Sequence, residues 1–322
     1  MAQLTENYRI LFKTIGEIAE TYHRQGDLDA AKKILQLGKD FSDSSDLALS
    51  DKTEFLLLYA KIRLNTTGSV RNLWKQSDVL MGILNQVRQY AETAPNEGLL
   101  ADALQLIGEL RYWNILREHD FTEETDEKQA TQSFFQQAYE IRLKIEDKRG
   151  LAQSLYYLGV MYGFRGYEEQ AEKCYREGIK IAENENFKLE LSNIIDRLGF
   201  IYFEKNSLDE ARHFFEHSLA LRQEIDFKIY IPGSLSNIAR VAEQQGDLVT
   251  AEAHLQKAIE LSNAMNLLER VIFESLDLGK LYQKQGKNVE AKACFERVKV
   301  ISSQIDYEYG ITEATKRLEQ LR

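Results

Sequence analysis

Apolar residues recur along the chain at three- and four-residue steps, the spacing that lines one face of an α-helix. The pattern itself also repeats. Four segments align without a gap: GFRGYEEQAEKCYREGIKIAE from Gly163, FEKNSLDEARHFFEHSLALRQ from Phe203, EQQGDLVTAEAHLQKAIELSN from Glu243 and QKQGKNVEAKACFERVKVISS from Gln283, each starting 40 residues after the last. The columns hold Gly166, Asn206, Gly246 and Gly286, then Ala171, Ala211, Ala251 and Ala291, then Tyr175, Phe215, Leu255 and Phe295. Upstream stand Leu158, Leu198, Ile238 and Leu278, followed by Gly159, Gly199, Ala239 and Gly279. The period flanks the Gly/Asn column on both sides, which predicts two amphipathic helices per unit, the first ended by a left-handed residue. Ser207 with Glu210 predicts a capping box at the second helix, and Asp247 a similar cap. The small columns mark close approach of two helix backbones, with the aromatic column beside them.

The pattern Leu158-Gly159-x-x-Tyr162, Gly166, Ala171, Tyr175 resembles the tetratricopeptide repeat (TPR), and Leu198-Gly199-x-x-Tyr202 and Leu278-Gly279-x-x-Tyr282 repeat it. The resemblance spans residues 149–307. The unit departs from the 34-residue form, and Glu183, Gln223, Asn263 and Ser303 replace the family's proline. Longer helices and helical linkers are expected to account for both departures. Such 40-residue units resemble those of kinesin light chains and bacterial peptide-sensing regulators. The expected fold is an all-α TPR-type α-solenoid of about seven antiparallel helix pairs plus a C-terminal capping helix, and the resemblance implies a right-handed superhelix.

Before residue 149 the stride is irregular. Ile18-Ala19-x-x-Tyr22, Gly26, Ala31 and Leu35 carry the columns, but Gly26 and Gly166 are 140 residues apart, not a multiple of 40. Two further pairs are predicted, 51–66 with 69–93 and 98–119 with 128–146. Breaks are predicted at 42–50, 94–98 and 119–127. The organisation expected is therefore 1–148 irregular TPR-like pairs, 149–307 four regular units and 308–322 a capping helix. In that cap Ile311, Leu318 and Leu321 face inward, Lys316, Arg317 and Glu319 outward.

Composition changes the picture in a few respects. Hydrophobic residues at 43% and charged residues at 29% are globular values, which sets disorder aside. Two prolines against 18 glycines argue against a sandwich or barrel. A formal charge of -10 disfavours nucleic-acid or anionic-membrane partners. The longest apolar run, Phe55 to Ala60, is far too short to span a bilayer. No secretory signal is read at the N-terminus, and Cys174 and Cys294, 120 residues apart without a CxxC, agree with a reducing compartment. A cytoplasmic location is the expectation. Three repeat steps of about 8–10 Å put the two cysteines beyond the ~7 Å limit for a disulfide.

One string suggests chemistry. His213-Phe-Phe-Glu-His217 has the H-x-x-E-H form of inverted zinc peptidases. Against it, Phe215 belongs to the packed aromatic column, and the histidine positions hold Lys173, Glu177, Ala253, Lys257, Ala293 and Arg297 in other units. His23, His119 and His254 are scattered, and the acidic stretch Glu118 to Glu127 has no EF-hand spacing. No catalytic residue, cofactor or metal site is assigned, and the chain is expected not to be an enzyme.

What remains is a surface. In TPR folds the first helix of each unit lines a concave groove. By column, the candidates are Gln153, Tyr156, Val160 and Phe164; Asn193, Asp196, Phe200 and Phe203; Ser236, Arg240, Glu243 and Gln244; and Leu276, Lys280 and Lys284. The surface suits a peptide with an apolar anchor and an acidic end. Phe164 and Phe200 have two readings, ligand anchors or packing between repeats. The family's carboxylate clamp for EEVD-type tails does not map, because its first lysine would fall in the column of Tyr156, Asp196, Ser236 and Leu276. The leading expectation is a protein- or peptide-binding scaffold; the alternative is a ligand-responsive regulator of the TPR type that senses a peptide or small molecule, and a zinc hydrolase through the His213–His217 string ranks last. Peptide-sensing transcription factors of this group begin with a helix-turn-helix domain, whereas the first residues here already obey the repeat columns.

Overall fold

The computed structural model describes residues 2–44, 47–66, 70–94, 96–117 and 125–321. The described residues form fifteen α-helices and no strand. These are α1 (Ala2–Gln25), α2 (Leu28–Ser44), α3 (Leu49–Thr66), α4 (Val70–Thr93), α5 (Glu97–Arg117), α6 (Asp126–Lys144), α7 (Lys148–Phe164) and α8 (Glu168–Asn184). There follow α9 (Lys188–Glu204), α10 (Leu208–Glu224), α11 (Ile231–Gln244), α12 (Leu248–Ala264), α13 (Leu268–Lys284), α14 (Asn288–Gln304) and α15 (Glu308–Gln320). Most of the predicted 119–127 break, His119 included, lies outside the described residues. The predicted 42–50 break narrows, since α2 continues to Ser44 and α3 begins at Leu49. Two compact units, Met1–Arg197 and Leu198–Arg322, divide the chain within α9.

Backbone geometry explains the stride. Gly166, Asn206, Gly246 and Gly286 have φ of +79°, +58°, +85° and +74°, the left-handed residues their column predicts. A second left-handed column lies between one pair and the next: Glu146, Asn186, Asp226, Asn266 and Asp306, with φ between +51° and +57°. Asn and Asp tolerate that region best after glycine. Apart from the one between α10 and α11, the linkers of the regular units are thus tight turns rather than helical, a correction to the expectation. From α7 onward the helices are mostly 17 residues long and joined by three-residue turns, except between α10 and α11, where six residues include a short 3-10 helix, Lys228–Tyr230. Glu183 and Asn263 are the penultimate residues of α8 and α12. A proline there would remove a helical hydrogen bond.

Capping follows the same geometry. Asp247 Oδ1 accepts from Thr250 N–H at 3.0 Å, as expected, and Asp147 from Gly150 N–H at 2.9 Å. The expected capping box at Ser207 is not formed: Ser207 holds the N-cap position without a side-chain cap bond. Its ψ of 74° matches that of Asp247, 75°, but serine is one atom shorter. Thr125 does cap α6, from an extended ψ of 154° that serine and threonine need.

In the first unit, Phe12, Leu35, Phe55, Leu84 and Ile107 belong to one apolar core, with the Phe12 and Phe55 rings stacked at 4.7 Å. In α7 and α8 a Cβ added to Gly159 would sit 2.3 Å from the Tyr175 ring. The pair α5–α6, read from sequence as irregular, has the same lock, Gly108 against Phe135 at 2.7 Å. In the second unit Ala251, Leu255, Leu278 and Phe295 share a core against which Leu318 and Leu321 of the capping helix pack. Arg317, expected to face out, is half-buried and paired with Glu313 at 2.8 Å.

One buried polar column runs beside the cores. Arg142, 1% exposed, donates to Gly150 O, Gln105 Oε1 and Ser154 Oγ, and pairs with Asp102 at 2.6 Å. Eighty residues on, Arg222 donates to Ser234 Oγ at 2.6 Å. At the next equivalent place Ser262 replaces the arginine and Glu274 the serine. Glu274 is buried, and neither of its oxygens has a well-formed hydrogen bond. Burial pushes its carboxyl up to about 7, outweighing the opposing pull of Ser262 and Arg270.

Two predictions follow from these cores. Ala251→Phe, at a site with no exposure, should destabilise by roughly 1–3 kcal/mol through overpacking; an unchanged melting temperature would take Ala251 out of the core. Glu274 binds its proton more tightly folded than unfolded, so its contribution is intact below about pH 4.5 and is lost as pH rises toward 7. Glu274→Gln should therefore stabilise the protein at pH 8, by up to ~3 kcal/mol, and be near neutral at pH 4. Denaturant titrations at both values check this; an equal difference at each pH contradicts it.

Candidate peptide-binding face

The leading helices of successive pairs, α7, α9, α11 and α13, carry the sequence candidates. In the first unit, Gln153 Nε2 donates to Glu190 Oε1 at 3.0 Å. The Tyr156 hydroxyl accepts from Arg197 Nε at 3.2 Å. Arg197 was not singled out from sequence. It lies among Tyr156, Tyr112 and Tyr175, and their fields with that of Asp196 hold its guanidinium charged, well above its ordinary range. Phe164 packs edge-on against Tyr112 at 6.2 Å, with Lys128 Nζ 4.9 Å from its ring centre. Asn193 is half-buried. Val160 and Asp196 are buried, at 8% and 9% exposure, so neither is open to a ligand.

In the second unit Phe200 meets Phe215 edge-on at 5.1 Å and belongs to the packing between helices. Arg240 is exposed, its Cζ 5.8 Å from the Phe200 ring centre and 5.2 Å from that of Phe203. Ser236 Oγ donates back to Pro232 O at 3.1 Å. Glu243 pairs with Lys284 at 3.5 Å and Lys280 with Asp277 at 3.1 Å, while Gln244 Nε2 donates to Asn206 Oδ1 at 3.1 Å. Leu276, 2% exposed, is core and is set aside as a ligand contact.

Sequence reading missed an aromatic cluster on this unit. Phe273, 46% exposed, and Tyr309, 47% exposed, flank Tyr307, with ring centres 6.0 to 6.5 Å apart. Burial pushes the Tyr307 hydroxyl up to about 12, and Glu269 adds to the shift. Phe273 stands in the column of Gln153 and Asn193, so a signal existed. Gly233, the intervening member, obscured it; the Arg270 guanidinium fills the space where a Gly233 side chain would be.

The histidine string lies on the outer side of its pair. His213 and His217 are exposed on α10 with ring centres 6.3 Å apart. Among the described residues no group of three His, Cys, Asp or Glu side chains is placed to hold a metal. Cys174 and Cys294 are free and half-buried, and burial pushes each thiol up to about 11, away from the reactive thiolate. No described helix is long and apolar enough to cross a membrane.

Known proteins share this architecture. The apo form of RapI superposes with a TM-score of 0.60 at 13% identity, covering 93% of this chain and 99% of that one. NprR gives 0.59 at 16% identity, over 94% of this chain and 81% of its own. BtubC from P. vanneervenii gives 0.56 at 18%, over 73% and 92%. At such identities the likeness is one of fold. The uncharacterized protein ycf37 of Pyropia yezoensis is 32% identical over 92 residues, 29% of this chain, and the match spans 46% of that protein's length. A family pattern described as the MalT-like TPR region matches residues 122–311, more than half of the chain and all four regular units. The left-handed turns, the small-residue columns and this match together make the chain a member of the MalT-like TPR region family.

Proposed function

We propose that the chain is a non-enzymatic adaptor that holds a protein or peptide segment against the faces of its leading helices. The observation that carries this reading is Arg240. Two aromatic rings hold its guanidinium over the second unit, and its head remains exposed. A cation held that way offers a carboxylate two donors at little ordering cost. Phe273 and Tyr309 supply apolar, partly exposed rings of the kind that anchor ligand side chains. The matching ligand is a peptide with an acidic group and an apolar side chain. NprR, which shares the fold, was solved with its cognate peptide, and this supports a peptide as ligand class. The free cysteines accord with a cytoplasmic site of action.

A second reading, a regulator whose shape changes on peptide binding, draws on the same likeness to NprR. A ligand-induced change in small-angle scattering would favour it; an unchanged profile favours the scaffold.

The adaptor reading is tested with an acidic–apolar peptide library on immobilised protein. Arg240→Ala and Phe273→Ala should each weaken selected peptides by about 10- to 30-fold while leaving melting temperature nearly unchanged, since both side chains are exposed. Undiminished binding by both variants would refute the assignment.

A further inference from the structure

A cleft opens between α1 and α3 in the first unit, with a volume of about 380 Å³, within the usual range of ligand-sized clefts, roughly 300–1,000 Å³. Its place in the repeat is informative. Ala19 and Gly26 occupy the columns of Gly159 and Gly166, so Lys13, Glu17 and Glu20 stand at the positions of Gln153, Tyr157 and Val160. The cleft is therefore the leading-helix face of the first pair, and the present inference rests on the proposed use of that face for peptides.

The lining has two parts. Ile10, 56% exposed, and half-buried Leu58 give it an apolar floor, continued by the edges of Phe12 and Phe55. Five carboxylates and two cations surround that floor. Arg9 is committed to Asp51 at 2.6 Å and Glu6 at 3.7 Å. Among the described residues Glu17, Glu20 and Glu54 have no ion pair. The rim thus keeps an excess of negative charge beside an apolar surface, the complement of a segment that alternates Lys or Arg with aliphatic residues.

We propose that the α1–α3 cleft receives a cationic amphipathic peptide segment, its aliphatic side chain over Leu58 and its cations on Glu17, Glu20 and Glu54. Ligand charge here is opposite to that expected at Arg240, so the two places select different segments.

The test uses three fluorescein-labelled dodecapeptides, alternating Lys–Leu, Glu–Leu and Lys–Ser, titrated with the full chain and read by anisotropy. Lys–Leu should bind at least about tenfold more tightly than either other peptide, and more weakly as salt is raised. The triple variant Glu17→Gln, Glu20→Gln, Glu54→Gln should lose about tenfold of that affinity with unchanged circular dichroism. A control triple on α8, Glu168→Gln, Glu169→Gln, Glu183→Gln, should keep it. Equal losses in both triples would mean attraction to net charge alone and would overturn the proposal, as would Lys–Ser binding equal to Lys–Leu. A dimer in sedimentation that the first triple dissolves would assign the cleft to a second copy instead. Should Lys–Leu fail while Arg240→Ala still weakens acidic peptides, this inference falls and the adaptor reading stands.

Discussion

The fold depends on one steric arrangement, a small residue on the leading helix facing a bulky one on the trailing helix. Added Cβ atoms at Gly108, Gly159, Gly199 and Gly279 would come within 2.3–2.8 Å of the rings of Phe135, Tyr175, Phe215 and Phe295. The two pairs that carry alanine instead, Ala19 and Ala239, carry Leu35 and Leu255 where the others carry a ring. Glycine goes with an aromatic ring and alanine with leucine, so the volume across the contact is conserved. Close-packed interiors permit that exchange and resist a change on one side alone. Helix crossing in each pair is fixed there, and the position of every outward side chain follows from it.

The turns convert that contact into a repeat. From α7 to α15 a left-handed residue inside each pair and another between pairs reverse the chain, in three residues everywhere except between α10 and α11. Each reversal is closed by backbone bonds of the Schellman kind, such as Tyr167 N–H to Tyr162 O and Phe187 N–H to Ala182 O, both 2.8 Å. Because both connections have the same form, the trailing helix needs no proline to stop it. This is why a 40-residue unit can drop the proline of the shorter form and still end its helices sharply.

Most of this was legible in the sequence, because close packing writes itself into columns. The packing glycines, the alanines and the first left-handed column could be read directly. The second left-handed column was missed because Glu, Asn and Asp look like ordinary polar residues unless aligned at the same stride. The α5–α6 pair was predicted, but its Gly108–Phe135 contact was missed for another reason. Gly108 and Phe135 are 27 residues apart where Gly159 and Tyr175 are 16, so extra residues between the helices hid an otherwise regular unit. The candidate face was legible in direction but not in depth. Periodicity gave the side of the helix but not the depth at each position: Val160, Asp196 and Leu276 are buried.

That distinction bears on how recognition can vary on such a scaffold. The packing column admits only Gly or Ala in the recognisable pairs, whereas the column of Gln153 holds Lys13, Gln153, Asn193, Gly233 and Phe273. The fold imposes almost nothing on that column, so its chemistry is available for selection by a ligand. Around that column, bonds from one pair to the next tie down other residues of the leading helices and of the turns after them: Gln153 with Glu190, Gln244 with Asn206, Lys284 with Glu243. Surface pairs of this kind add little to stability, but they fix side-chain positions and neutralise charge locally. Residues outside this ladder keep their charge or their exposed rings: Arg240 and Phe273 in one unit, Glu17 and Glu20 in the other. Under the proposed function, specificity is therefore set by which residues of the leading-helix faces escape the ladder, and substitution there changes the ligand without disturbing the contact that builds the repeat.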